Sequence, residues 1–107
     1  MITVNIRYKG EGDNALKFAE EMKESGVVRR IRQEQGNLRY EYFISMEDPS
    51  VVLLIDSWAD QKALDEHHGS DMMGTIAKLR DKYDLHMEVE RFTSEEGSSG
   101  DERFIRK

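Results

Sequence analysis

Trp58, His67, His68, Met72 and Met73 all fall within DSWADQKALDEHHGSDMMGTIAKLRDKY (56–83). That stretch holds the chain's one tryptophan and two of its three histidines. An imidazole exchanges protons near neutrality. An indole and two thioethers offer flat, polarisable surface to an aromatic ligand. The spacing is helical: Ala63, Leu64, His67 and His68 lie three or four apart and share a face. His67 follows Ala63 by four and Leu64 by three, so it extends their stripe more squarely than His68. Two readings compete. In one, this is a helix on a core, its histidine satisfied by a backbone carbonyl, the commoner fate of a lone histidine. In the other, the cluster lines a pocket and His67, not His68, faces it. Taken singly, Trp58 and the methionines also belong to cores more often than to sites.

Other chemistries are poorly served. Adjacent histidines project about 100° apart on a helix, so His67 and His68 do not chelate one ion. His86 stands on another element, and no third ligand has metal-site spacing. The chain has no cysteine, which removes disulfides, thiolate metal sites and cysteine nucleophiles. The GEG after the first strand lacks G-x-G-x-x-G spacing, and no nucleophile elbow is present. The expectation is therefore no metal and no cofactor. The net charge of −6 comes from 16 basic and 22 acidic residues that alternate along the chain. No basic face with interleaved aromatics appears, so no nucleic-acid partner is expected. Residues 1–9 lack the apolar run of a signal peptide, and nowhere do about 18 apolar residues occur together. A cytoplasmic protein without a membrane partner is expected.

The elements that must position the cluster read clearly. MITVNIRY alternates Ile2, Val4, Ile6 and Tyr8 against Thr3, Asn5 and Arg7, a strand. KGEGD (9–13) is a turn whose Asp13 can cap the next helix, where Ala15, Phe18, Ala19 and Met22 form an apolar stripe. Ser25-Gly26 interrupts it. A shorter helix over 27–35 carries Val28 and Ile31 inward, and Gly36-Asn37 closes it. Strands follow at 38–46 and 51–58, separated by a turn holding the only proline. VVLLIDSW is nearly all apolar, as in a strand covered on both faces. Helices at 60–68 and 71–83 and a strand at 85–92 complete β-α-β-β-α-β, an α+β ferredoxin-like arrangement with an antiparallel sheet. Residues 93–102 read as a flexible acidic loop, and RFIRK turns partly apolar again, as if to dock on another subunit. Apolar residues make up 37% of the 107, below the usual ~45–50%. A lean core and a two-sided strand predict that a second copy covers the bare sheet face, giving a homodimer.

The ordered set Glu34, Gly36, Tyr40, Asp48-Pro49, Asp56, Trp58, Ala63-Leu64, His67 and Ser70 resembles the antibiotic biosynthesis monooxygenase (ABM) domain. The resemblance covers about residues 1–92, with its specific part in 34–72. It implies a dimeric α+β barrel, two ferredoxin-like subunits joined sheet to sheet. Members resemble one another more in fold than in chemistry. Some oxygenate quinols or anthrones without metal or flavin; others degrade haem or isomerise signalling molecules. The haem-degrading pattern does not fit, because in its register the tryptophan position holds His67 and the histidine position Ala77.

What the resemblance implies is a monooxygenase that oxidises a small quinol-like or polycyclic aromatic with dioxygen. Such a substrate reduces dioxygen itself once it loses a phenolic proton. The protein takes that proton, stabilises the anion and excludes water. His67 is the expected base and Asn5 the expected amide donor to the oxyanion. Trp58, Tyr40, Met72 and Met73 are the expected walls. The alternative is a dimeric small-molecule binder or isomerase of the same fold without oxygen chemistry.

Overall fold

The computed structural model describes residues 1–95 and 100–107. Among these, the chain runs β1 (Ile2–Lys9), α1 (Asn14–Glu24), α2 (Val27–Arg32), β2 (Asn37–Ile44), β3 (Val51–Trp58), α3 (Gln61–His68), α4 (Met72–Lys82) and β4 (His86–Thr93). A single turn of 3₁₀ helix follows at Glu102–Phe104. The strands form one sheet in the order β2-β3-β1-β4, every neighbour antiparallel. This is the expected ferredoxin-like α+β fold.

Alternation along the strands decides which side chains meet the helices. On the helix side stand Ile2, Val4, Ile6 and Tyr8 of β1, Val52, Leu54, Asp56 and Trp58 of β3, and Tyr40 and Tyr42 of β2. The register sets them in rows across the sheet. Tyr40, Asp56, Val4 and Arg91 share one row; Tyr42, Leu54, Ile6 and Val89 share the next. Against this face α1 buries Ala15, Phe18, Ala19 and Met22, as its stripe predicts, and α2 adds Val27, Val28 and Ile31. Burying a large aliphatic or aromatic side chain contributes about 1.5–3 kcal/mol, so these stripes, not helix propensity, fix the layer.

Local chemistry shortens some elements. Asp13 stands at the N-cap of α1 without a side-chain cap bond and pairs instead with Lys17 at 3.3 Å. Gly26, at φ 86°, lets the chain turn between α1 and α2. The second helix ends at Arg32 rather than 35, where the Arg32 guanidinium reaches the Tyr40 carbonyl at 2.7 and 2.9 Å and draws the chain back onto β2.

Among the described residues the other sheet face carries no helix. Its apolar centre comes from Val51, Leu53 and Ile55 of β3 and Phe43 of β2, all half-buried, so β3 is apolar on both sides as read from its sequence. Ion pairs between β1 and β4, Arg7–Glu90 and Lys9–Glu88, flank that centre. Of the segment 93–102, expected to be a flexible loop, residues 96–99 lie outside the described residues. Beyond it, Phe104 and Ile105 are 78% and 57% exposed.

Candidate active site

A cavity of about 340 Å³ lies between the helix-side face of the sheet and α3 and α4. It is at the small end of the range for ligand pockets. Val4, Ile6 and Leu54 form its floor, Leu64, Met73 and Ile76 its roof, and Met87 and Val89 extend the floor along β4. Polar groups break this apolar lining at a few points: Tyr8, Tyr40, Asp56, His67, His68, Arg80 and Arg91.

His67 is held from three directions. Its Nδ1 lies 2.9 Å from Glu34 Oε1, contributed by the turn between α2 and β2. Its ring stacks on Trp58, with centroids 4.6 Å apart and planes 25° apart. Its carbonyl accepts the Ser70 hydroxyl at 2.7 Å, which closes the end of α3. At the start of that helix the Asp60 carboxylate accepts the Ala63 N–H at 2.9 Å, a side-chain cap worth about 1 kcal/mol. With Nδ1 engaged, Nε2 is the nitrogen left for the cavity; it makes no hydrogen bond among the described residues.

The distance from Glu34 to His67 depends on a glycine. Gly36 sits at φ 83°, and a Cβ there would fall 2.5 Å from the Ala63 Cβ. Its carbonyl also accepts the Ala59 N–H at 2.8 Å. Close contact between this turn and α3 sets the carboxylate within reach of the imidazole.

Asp56 is the second titratable group at the buried end, 4% exposed. The Trp58 indole N–H donates to its Oδ1 at 2.5 Å. Burial pushes the Asp56 carboxyl up to about 6, against the Trp58 hydrogen bond and the nearby His67, which pull it down. Burial likewise raises the Tyr8 and Tyr40 hydroxyls well above their ordinary range, so both are neutral donors.

The expected site residues divide. His67, Tyr40 and Met73 come together on the cavity wall. Trp58 is fully buried and backs the His67 ring instead of meeting the cavity, and Met72 turns into the core at the first turn of α4. Asn5 is on the wrong side for the role expected of it. Strand alternation that sends Val4 and Ile6 to the helices sends Asn5 to the open face, beside Thr3, Ile55 and Ser57. It cannot reach a substrate against His67. Nor does His67 face the cavity alone, since the exposed His68 lines its edge with the two rings 5.7 Å apart. Glu34 and Asp56 stood in the ordered set without a role; the structure gives both one. Tyr8 carried only the signal of its place in the β1 alternation, and Arg80 and Arg91 carried none in their spacing. Among the described residues no cluster of three or more histidines or carboxylates could hold a metal ion.

A helix-covered antiparallel sheet with an apolar cavity and a carboxylate-held histidine makes this a ferredoxin-like domain with one candidate site. The sequence pattern of the antibiotic biosynthesis monooxygenase family matches residues 1–79, and the chain belongs to that family. No curated protein is significantly similar to it. Solved structures share the fold. A candidate antibiotic biosynthesis monooxygenase from Deinococcus radiodurans superposes with a TM-score of 0.79 at 14% identity, over 92% of this chain and 97% of that one. A conserved protein from Methanosarcina mazei gives 0.75 at 21%, over 88% and 92%. SnoaB, a cofactor-independent oxygenase from Streptomyces nogalater, gives 0.73 at 15%, over 92% and 96%.

Proposed function

We propose that this monooxygenase-family chain oxidises a small quinol-like aromatic with dioxygen, without a cofactor, and does so as a homodimer. The observation that carries the reading is the His67 imidazole, pinned at Nδ1 by Glu34, in the lining of a small apolar cavity. A quinol laid in that cavity gives its phenolic proton to Nε2. The resulting anion passes an electron to dioxygen, the two radicals combine into a peroxide anion, and the His67 imidazolium returns the proton to give the hydroperoxide. Loss of water leaves the hydroxyquinone, so quinol plus dioxygen becomes hydroxyquinone plus water. The substrate supplies every electron. Tyr40, neutral through burial, is the donor placed to steady the anion, a role Asn5 cannot take from the other face.

The open sheet face supports the dimer. Its centre is the apolar patch of Phe43, Leu53 and Ile55, and the amide oxygen of Asn5 is buried there without a partner. A second copy of the sheet covers both. The exposed Phe104 and Ile105 then dock on that second copy, and 1–92 is the catalytic domain.

Oxygen uptake with a panel of hydroquinones in metal-free buffer tests the activity, with uptake of one oxygen molecule per quinol expected. A competing reading is an isomerase. It is favoured by Asp56 and His67 standing in one cavity, an acid and a base able to move a proton without oxygen. Exchange of substrate C–H for deuterium under nitrogen, with no oxygen uptake in air, would select it.

A further inference from the structure

The polar groups of the cavity are divided between two ends. His67 and Asp56 stand at the buried end, 2% and 4% exposed. At the mouth stand Arg80 of α4, half-buried, and Arg91 of β4, exposed. Neither arginine makes an ion pair among the described residues. The side-chain partner of Arg80 is Met87 Sδ at 3.5 Å, a weak acceptor, and that of Arg91 is the uncharged Gln61 amide oxygen. A solvated surface cation needs no partner. These two differ because they line an apolar cavity, in a chain of net charge −6. Carboxylates are close along the chain, but Glu88 and Glu90 face the other side of the sheet and serve Lys9 and Arg7. The mouth therefore carries two guanidinium groups without a direct ion pair, the Asp65 carboxylate standing one hydrogen bond beyond Gln61.

The register gives the length between the ends. Asp56, Val4 and Arg91 share one row across β3, β1 and β4. Two strand spacings separate the outer backbones by about 10 Å. Val4 lies between them as a flat apolar floor. A single aromatic ring with a polar substituent at each end fits that span.

We propose that the cavity selects a small aromatic acid, its carboxylate held by Arg80 and Arg91 and its phenolic hydroxyl presented to His67. The proposal rests on the reading of this cavity as the site for a quinol-like aromatic, and adds the acid group. Guanidinium bound to carboxylate is the strong, charge-assisted case of hydrogen bonding, and aromatic faces bury well against Val4 and Ile6.

Calorimetric titration with 4-hydroxybenzoate and 4-hydroxybenzamide tests it, since both probes report binding without turnover. The benzoate should bind about tenfold more tightly than the amide, and the ratio should fall as salt rises. Arg80→Met and Arg91→Met, each checked for folding by its melting transition, should bring the ratio toward one. Equal affinity of acid and amide for the wild-type protein overturns the proposal. So does a preference that survives both substitutions, or oxygen uptake with neutral hydroquinone by a protein that binds neither probe. An intact benzoate preference without any oxygen uptake keeps the acid site and removes the monooxygenase reading instead.

Discussion

Replacing Asp56 with Asn should make the protein more stable, and increasingly so as pH rises. In the folded chain burial lifts the carboxyl to about 6 from an ordinary 3.8. The native state therefore holds a proton that the unfolded chain gives up between these two values. Stability falls with pH wherever the native state binds the extra proton. Worked through for 3.8 and about 6, the cost is about 1 kcal/mol at pH 4.5 and about 3 kcal/mol at pH 7.5. Asn keeps an oxygen to accept the Trp58 indole N–H but does not titrate. The stability gap between Asp56→Asn and wild type should then widen by about 2 kcal/mol across that interval, or roughly 8–16 °C in melting temperature for a domain of this size. Urea unfolding at both pH values, read by Trp58 fluorescence, measures it. A gap that stays constant with pH, or one that closes as pH rises, refutes the burial of this carboxyl as a neutral acid.

His67→Gln should lower quinol-dependent oxygen uptake by about a hundredfold or more and cost about 1–3 kcal/mol through the orphaned Glu34, while His68→Gln, at the exposed edge, changes melting little. Uptake that survives His67→Gln removes it as the base. Gly36→Ala combines a left-handed backbone with a Cβ 2.5 Å from Ala63, so it should cost about 1–3 kcal/mol and displace Glu34 from His67; unchanged denaturant midpoint and uptake would show that the turn has slack. Deleting 103–107 should weaken dimerisation in sedimentation experiments, and identical dimer affinity and melting temperature would leave Phe104 and Ile105 without a docking role.

Periodicity made the layers legible. Ile2, Val4, Ile6 and Tyr8 mark the helix-covered face, and the stripe of α1 marks what covers it. The same alternation places Asn5 on the opposite face, so its position could be read once Val4 and Ile6 are known to be inside. Trp58 has the right parity, but α3 crosses directly above it and seals it beneath His67, a matter of tertiary placement that no local pattern carries. Glu34 meets His67 across 33 positions, and Arg80 and Arg91 reach the same mouth from two elements. Such convergence depends on how α3, α4 and β4 are set over the sheet, which spacing along the chain does not encode.

The strand that supplies Met87, Val89 and Arg91 is an edge. Among the described residues β4 pairs with β1 alone, and all eight of its residues are exposed. Local opening costs least where few apolar contacts hold a segment, so the amide hydrogens of β4 should exchange with solvent well before those of β1 and β3. A ligand touching that strand protects it in proportion to its occupancy. Recognition and local folding are thus coupled in one strand: the wall that reads the ligand is also the part of the sheet that the ligand most stabilises.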